Sequence, residues 1–517
     1  MDTQPTIDSA ASGEGNRAVG TGNSIPRLGE LILVSIIVLA VSGVLYWRFL
    51  PLPHQDLNYY TEPAYMLAKF GTLSGPGSQN VDLTYQKGIY SYPPGYFLIL
   101  AGWLKLFGLS ANTLLVYTHL AHASALILLW LLLRHRYSCP CSISALVLLS
   151  FFPRMAHGRP DLTAVALSFA AWVALPWKGG WRRIVLSGCL GGATLLVSPG
   201  FGVGITVTLV ILMLIDSRLT LAQRGRKISV WLGASGIFFV SVLGIFLTQQ
   251  HSWKIAYVQF KTNMSIRGAE LNVLPDFSML FAWVFCLIPF FFVAILPALL
   301  AAGGMCRGAT NDLRNVGIAF LGSAAAWFAL NKSQLLLAHH FVFPAKCVFV
   351  GAFYSWPKLP AWMRVAPVLL LGLISFYYYK ADFLYLGTPL RIEERSYASE
   401  IQPQGIVALD SLYFARFYRP GQSLNYEVTA FELYWPRYMA AIPEFARTEM
   451  LAGLPDKPVQ PDMLLVSAYT ERTQGKQSLD VVCKQPKAFE ERLRILGRSW
   501  NLPAQPYALM VCRKRAP

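Results

Sequence analysis

The chain has 517 residues, of which 54% are hydrophobic and only 14% are charged. Soluble domains carry about 25% charged residues, and the apolar residues here gather in blocks close to the ~20 residues that cross a bilayer. The composition therefore excludes an ordinary soluble globular protein and predicts an α-helical polytopic membrane protein.

The net charge is +17, and many of the basic residues lie in the connections between the apolar blocks. Basic residues gather in short segments at 134–136, 178–183 and 218–227. Such segments are typical of cytoplasmic loops under the positive-inside rule. The charge is explained by topology, and no nucleic-acid partner is expected.

The apolar blocks predict about eleven spans after a disordered cytoplasmic tail at residues 1–29, which begins with small, polar, Gly- and Ser-containing sequence. With the tail inside, every arginine-rich connection falls on the cytoplasmic side. The transmembrane domain is predicted at 30–380. Its spans are expected at 30–50, 113–133, 142–156, 161–177, 184–199, 201–217, 228–248, 278–302, 315–330, 340–356 and 362–379.

The first outer loop, residues 51–112, holds one apolar block that is not counted as a span. Counting residues 93–108 as a crossing would invert every later loop and move the arginine-rich segments outside. We therefore expect an interfacial or re-entrant helix there, begun by Pro93 and Pro94, because proline suits a first helical turn.

A polar region, residues 381–517, follows the last predicted span. Short alternating runs such as GIVALDS and PDMLLVS, together with the helical stretch FEERLRILG, predict a small extracytoplasmic α/β domain. Cys483 and Cys512 both fall in this region and could pair if it lies in an oxidising compartment. The sequence leaves that pairing open.

Two motifs on the predicted outer face resemble a known family. Asp56, Tyr60, Ala64 and Gly71 form the spacing D-x3-Y-x3-A-x6-G, and YPPGYFLILAGWLKLFG follows. A later acid, Asp161 in GRPDLTAVALSFAAW, opens the fourth span. This pattern resembles the C-type membrane glycosyltransferases (the GT-C fold), in particular the branch of dolichyl-phosphate-mannose protein mannosyltransferases and bacterial aminoarabinose transferases.

The resemblance implies a polyprenyl-phosphate sugar donor bound from the membrane and a lipid, glycan or protein acceptor bound from outside. It makes Asp56 the catalytic residue. Two positions depart from the family pattern: Leu57 replaces a Glu, and Ser91 with Tyr92 replaces a Glu-Lys pair before the prolines. A metal site built from carboxylates is therefore in doubt, and a divalent metal remains open. From position alone, Asp56 could instead cap the helix that follows it.

The leaving phosphate needs positive charge or hydrogen-bond donors. The outer face offers Arg159, Lys332, His339 and His340, and we assign these with Asp161 and Tyr92 to substrate binding. Each has a structural alternative. Arg159 and Asp161 could form a local ion pair, and the two histidines could pack at the interface.

The function predicted from the sequence is transfer of a sugar from a polyprenyl-phosphate donor to an acceptor hydroxyl, with inversion and with Asp56 as general base. The expected location is a bacterial inner membrane, or the endoplasmic reticulum if the source is eukaryotic. One alternative is a lipid or sugar transporter without chemistry. A second is a non-catalytic relative whose C-terminal domain binds a partner.

Overall fold

The computed structural model describes most of the predicted membrane region and part of the C-terminal region. The described residues are 28–47, 56–78, 85, 87–90, 92–134, 159–175, 180–270, 295–303, 311–330, 335–354, 405–425, 459, 461–467, 481–484 and 509–514.

The described part of the chain is mostly helical. The helices before the C-terminal region are α1 Leu28–Trp47, α2 Leu57–Phe70, α3 Gly95–Phe107, α4 Ala111–Arg134, α5 Asp161–Ala174, α6 Trp181–Val197, α7 Pro199–Ile215, α8 Leu221–Gln249, α9 Trp253–Glu270, α10 Leu296–Ala302, α11 Asn311–Leu330 and α12 Leu335–Tyr354.

Helices cover the described parts of the predicted spans, apart from one or two residues near the ends of the spans at 161–177, 184–199 and 201–217. Among those residues, Leu28–Tyr46, Ala111–Arg134 and Leu221–Gln249 are long and apolar enough to cross a membrane. Four shorter helices are also apolar, at Gly95–Phe107, Asp161–Ala174, Pro199–Ile215 and Phe341–Tyr354. The predicted spans at 142–156 and 362–379 lie outside the described residues, so the count of eleven stays a prediction.

Long apolar side chains cover the outward faces of the longest helices. On α8 they include Ile237 and Val240, which are 71% and 65% exposed. Exposed apolar surface of this extent marks contact with a partner or a membrane. The fold is therefore that of a membrane protein, with lipid covering these faces.

An ion pair fixes the relative direction of α1 and α4. Arg134, the last residue of α4, contacts Glu30 in the first turn of α1 at 2.8 Å. The two helices also share a small core of Val34, Val38 and Trp130 with neighbouring residues. The start of α1 and the end of α4 therefore lie together, and the intervening outer loop lies at the opposite end of the pair.

Helices α6 and α8 pack closely through small residues. A Cβ atom on Gly192 would lie 2.5 Å from the Ser235 carbonyl oxygen, so only glycine permits this approach. The Trp231 indole donates to the Ser187 hydroxyl at 2.9 Å, and that hydroxyl donates to the Ala171 carbonyl on α5 at 2.6 Å. Small residues and interhelical hydrogen bonds of this kind stabilise helix pairs inside a membrane.

The α-helices α2 and α3 lie in the described part of the first outer loop. With 13 residues, α3 is about 20 Å long, which is too short to cross ~30 Å of hydrocarbon. Its first residue, Gly95, lies against the backbone of Leu196 at the end of α6. The prolines precede the helix, with Pro94 at the N-cap, whereas the sequence predicted them in its first turn.

The described C-terminal residues form a five-stranded mixed sheet with one short helix, α13 Ser411–Phe417. The strands are β1 Val407–Leu409, β2 Ser423–Asn425, β3 Met463–Ser467, β4 Val481–Lys484 and β5 Leu509–Lys514. Their spatial order is β2-β1-β3-β5-β4. Strand β1 pairs in parallel with β2 and β3, whereas β5 pairs antiparallel with β3 and β4. The runs GIVALDS and PDMLLVS contain β1 and β3, and FEERLRILG lies outside the described residues.

Candidate active site

Arg159 joins two acids that are far apart in sequence. Its Nη1 lies 3.1 Å from Oδ2 of Asp56, and its Nε lies 3.1 Å from Oδ2 of Asp161. These three residues are called the acid–arginine cluster below. The structure thus brings the catalytic candidate of the first outer loop to the start of α5.

Asp56 stands at the N-cap position of α2 but does not act as its cap. Its backbone is helical, with φ −76° and ψ −2°, and its side chain makes no capping hydrogen bond. A capping Asp normally has extended backbone and accepts from the second or third helical amide. The carboxylate instead forms an ion pair with Arg159. Asp56 is therefore not a helix cap in this structure.

The three side chains of the cluster differ in exposure. The Asp161 side chain is 9% exposed, that of Arg159 is 23% exposed, and that of Asp56 is 35% exposed. Burial alone would lower the pKa of Arg159, but the two carboxylates raise it above its usual value. The guanidinium therefore stays charged, with a buried acid on one side and an accessible acid on the other.

Tyrosine rings pack beside the acid–arginine cluster. Tyr60 contacts the rings of Tyr92 and Tyr96 at centroid distances of 5.8 and 5.7 Å, and Tyr59 contacts Tyr92 at 5.7 Å. Burial, the neighbouring Tyr92 and the charge of Asp56 raise the pKa of Tyr60. Its hydroxyl therefore keeps its proton.

Glu62, six residues after Asp56, is buried at the junction of α2 with the C-terminal region. It accepts a hydrogen bond from the Gly77 amide at 2.8 Å and another from the Tyr418 hydroxyl at 2.8 Å. Burial raises the pKa of Glu62 to about 8, although both donors partly offset this effect. Sequence reasoning assigned no role to this acid.

A second contact joins α2 to the C-terminal sheet. The Asn58 side chain donates to the carbonyl of Leu409, the last residue of β1, at 2.9 Å. Asn58 and Glu62 lie four residues apart and therefore share one face of the helix. The C-terminal sheet thus holds the helix that follows Asp56.

Residues 249–270, which follow the predicted span at 228–248, contact the first outer loop. Gln259 of α9 donates to the Gly88 carbonyl and accepts from the Tyr90 amide, both at 2.6 Å. Gln250, just after α8, donates to the Gly71 carbonyl at 3.1 Å. These bonds fix the chain immediately ahead of the proline pair and α3.

The remaining predicted site residues are only partly placed. Tyr92 lies beside the cluster, through its ring contacts with Tyr59 and Tyr60. Lys332 lies outside the described residues, and His339 and His340 fall in α12 at positions whose side chains are also outside the described part. Within the part of the chain that the structure describes, no three His, Cys, Asp or Glu side chains converge as a metal site would require.

Comparison with known proteins gives structural neighbours alone. No protein-family model matches the chain, and no curated protein matches its sequence. The crystal structure of the Archaeoglobus fulgidus oligosaccharyltransferase with Zn and sulfate is 14% identical, with a TM-score of 0.47. That match covers 86% of this chain and 68% of the other.

Two further solved structures are similar. Oligosaccharyltransferase AglB from Archaeoglobus fulgidus, with an inhibitory peptide and a dolichol-phosphate, is 12% identical, with a TM-score of 0.41 over 85% of this chain and 70% of that one. ArnT from Cupriavidus metallidurans, bound to undecaprenyl phosphate, is 13% identical, with a TM-score of 0.37 over 94% and 98%. These neighbours are of the class that the sequence resembles, the C-type membrane glycosyltransferases. At these scores the similarity assigns no residue role or ligand to this chain.

Proposed function

We propose that the chain is a membrane glycosyltransferase that moves a sugar from a polyprenyl-phosphate donor to an acceptor hydroxyl, with inversion at the anomeric carbon. The observation that carries the proposal is the ion-pairing of Arg159 with both Asp56 and Asp161. A cation fixed between an accessible and a buried acid offers what the reaction needs: a base for the acceptor and positive charge for the phosphate.

In the proposed reaction, the Asp56 carboxylate accepts the proton of the acceptor hydroxyl. The acceptor oxygen forms a bond to the anomeric carbon as the bond from that carbon to the phosphate oxygen breaks. The phosphate oxygen leaves with the electron pair, and the products are the glycosylated acceptor and polyprenyl phosphate. A positioned carboxylate acting this way contributes about 10²- to 10⁴-fold in rate.

Arg159 would stabilise the leaving phosphate. An arginine has five N–H donors, and the two ion pairs engage its Nε and Nη1. Nη2 carries two more donors that phosphate oxygens can accept. Asp161, buried behind the guanidinium, would act as a positioning residue that orients this fork toward the accessible side.

We place the reaction at the extracytoplasmic surface of the membrane, either a bacterial inner membrane or the endoplasmic reticulum membrane. A phosphate on a lipid reaches the interface and no deeper, and Asp56 follows α1 closely in the chain. The apolar α3 lies in the same loop and is too short to span. A lipid-borne donor could therefore meet the acid–arginine cluster without leaving the membrane.

The test is sugar transfer by purified protein, with a panel of short polyprenyl-phosphate sugars and release of polyprenyl phosphate followed by mass spectrometry. Asp56→Asn should reduce turnover by about 100-fold or more while the thermal midpoint stays unchanged. Asp216→Asn is the matched control, because it removes an Asp–Arg pair of similar length, 2.8 Å to Arg218, between α7 and α8. It should keep full turnover.

The same assay separates the enzyme from the transporter alternative. A transporter moves the labelled lipid across proteoliposomes and releases no polyprenyl phosphate. Turnover by Asp56→Asn equal to that of the unmodified protein would remove Asp56 from the chemistry.

A further inference from the structure

Two cysteines occupy opposed register positions on neighbouring strands of the C-terminal sheet. In the antiparallel pairing of β4 with β5, Cys483 is the register partner of Cys512. The flanking pairs are Val482 with Arg513 and Lys484 with Val511. The juxtaposition therefore belongs to a continuous ladder rather than to a single close approach.

Directly opposed residues in an antiparallel ladder stand at one of two separations. Their Cα atoms lie about 5.5 Å apart at hydrogen-bonded positions and about 4.5 Å apart at the others. Disulfides join residues whose Cα atoms are about 4.4–6.8 Å apart. Both separations fall inside that range, so the register permits the bond at either kind of position.

The contacts of α2 indicate the side of the membrane on which this sheet lies. Asn58 and Glu62 hold the sheet and its neighbouring segment against the first outer loop. That loop lies at the end of the α1–α4 pair opposite Glu30 and Arg134. Because Arg134 begins a basic segment typical of the cytoplasmic side, the sheet belongs to the extracytoplasmic side, where disulfides persist.

We infer that Cys483 and Cys512 form a disulfide that joins the edge strand β4 to β5. The bond forms by thiol–disulfide exchange with an oxidised dithiol protein or a small-molecule disulfide. One thiolate attacks the oxidant's disulfide, and the second thiolate displaces the oxidant from the mixed disulfide. Two thiols lose two electrons and two protons, and the oxidant is reduced to its thiols.

The bond would close the loop of residues 484–511 at the edge of the sheet. Strand β4 has four residues, and among the strands that the structure describes it pairs with β5 alone. Short edge strands have few ladder hydrogen bonds, and cross-linking removes conformations from the unfolded chain. The disulfide therefore keeps this edge paired and leaves the β1 side, which contacts α2, untouched.

The experiment uses the full-length protein, with N-ethylmaleimide added to intact membranes before solubilisation. Tryptic digestion without reductant should release residues 477–484 linked to residues 499–513, and dithiothreitol should separate the two peptides. Cys189 and Cys347, which are free thiols in the structure, are matched controls, because Cys189→Ser should leave the linked peptide unchanged.

The thermal midpoint with and without dithiothreitol is a second test, which does not depend on single-cysteine variants. Dithiothreitol should lower the thermal midpoint of the unmodified protein and leave that of the Cys483→Ser/Cys512→Ser double variant unchanged. Recovery of both cysteines as maleimide adducts without reduction overturns the inference. So does recovery of either one linked to a different cysteine.

Discussion

The Tyr418 hydroxyl donates a 2.8 Å hydrogen bond to the carboxyl group of Glu62, across 356 positions of sequence. Burial keeps Tyr418 protonated by raising its pKa, so the direction of this bond is fixed. The acid that accepts it lies on the helix that begins next to Asp56. The C-terminal region is thus attached directly to the element that positions the candidate base.

Glu62 should make the stability of the protein depend on pH. Its folded pKa of about 8 lies above the ordinary value of 4.5, so the folded state keeps a proton that the unfolded state loses between these values. Its contribution is complete below pH 4.5 and is lost as the pH rises through 8, with a slope of up to about 1.4 kcal/mol per unit. Thermal midpoints between pH 5 and 9 measure this effect.

The Glu62→Gln variant tests the assignment, because a neutral amide resembles the protonated acid. In this variant, stability should fall less steeply as the pH rises, and the variant should be more stable than the unmodified protein at pH 8.5. Glu30→Gln is the control, since it removes the ion pair with Arg134 without removing the slope. An undiminished slope in Glu62→Gln would assign the pH dependence to another group.

Gly77→Ala should loosen the junction between the first outer loop and the C-terminal sheet. A Cβ there would lie 2.9 Å from both carboxyl oxygens of Glu62 and from the Ser423 carbonyl oxygen. Overpacking of this kind costs about 1–3 kcal/mol. Gly102→Ala in α3 is the matched control, because nothing lies within 4 Å of its Cβ position. Alanine is the better helix former, so this variant should raise the free energy of unfolding by about 0.5–1 kcal/mol. Equal thermal midpoints for the two variants would contradict the close packing.

Asp161→Asn should weaken transfer by releasing Arg159 from its buried partner. Misplacement of a positioned group can cost up to about 100-fold in rate, and we expect a loss of this order in kcat/KM. Arg159→Lys should fall in the same range, because a lysine cannot contact two acids and a phosphate with a planar fork. Donor titrations that yield kcat and KM separately provide the measurement. If both variants keep the kcat and KM of the unmodified protein, the acid–arginine cluster has a structural role only.

The topology predicts that the first outer loop is accessible from outside. In intact cells, a membrane-impermeant maleimide should label Lys87→Cys, which is exposed in the first outer loop. It should label Ala222→Cys, exposed in the first turn of α8, only after the membrane is permeabilised. The reverse pattern would place the acid–arginine cluster on the cytoplasmic side and contradict the proposed donor geometry.

The sequence predicted the charged residues of the candidate site, because they lie at the ends of predicted membrane spans. Asp56, Arg159 and Asp161 stand out because each follows or precedes an apolar block, and the positive-inside rule sets them all on one face. Their common location follows from topology, although nothing in the sequence showed that Arg159 would contact both acids.

The residues that sequence reasoning missed act through contacts with distant segments. Asn58, Glu62 and Gln259 are polar residues whose partners lie between 15 and 356 positions away. Hydrophobic periodicity describes one segment at a time and carries no information about such pairs. One signal was present in Glu62, an acid in α2 with no basic residue within four positions on either side.

The attachment of α2 to the C-terminal region also sets an order of events during synthesis. Ribosomes add about 5–20 residues per second, so roughly 20 to 70 s separate the appearance of Glu62 from that of Tyr418. During that interval the helix next to Asp56 has neither the Tyr418 hydroxyl nor the Leu409 carbonyl as a partner. The contacts that hold α2 are therefore completed only after residue 418 has been synthesised, and a nascent chain stalled before residue 409 leaves α2 open to chaperones and proteases.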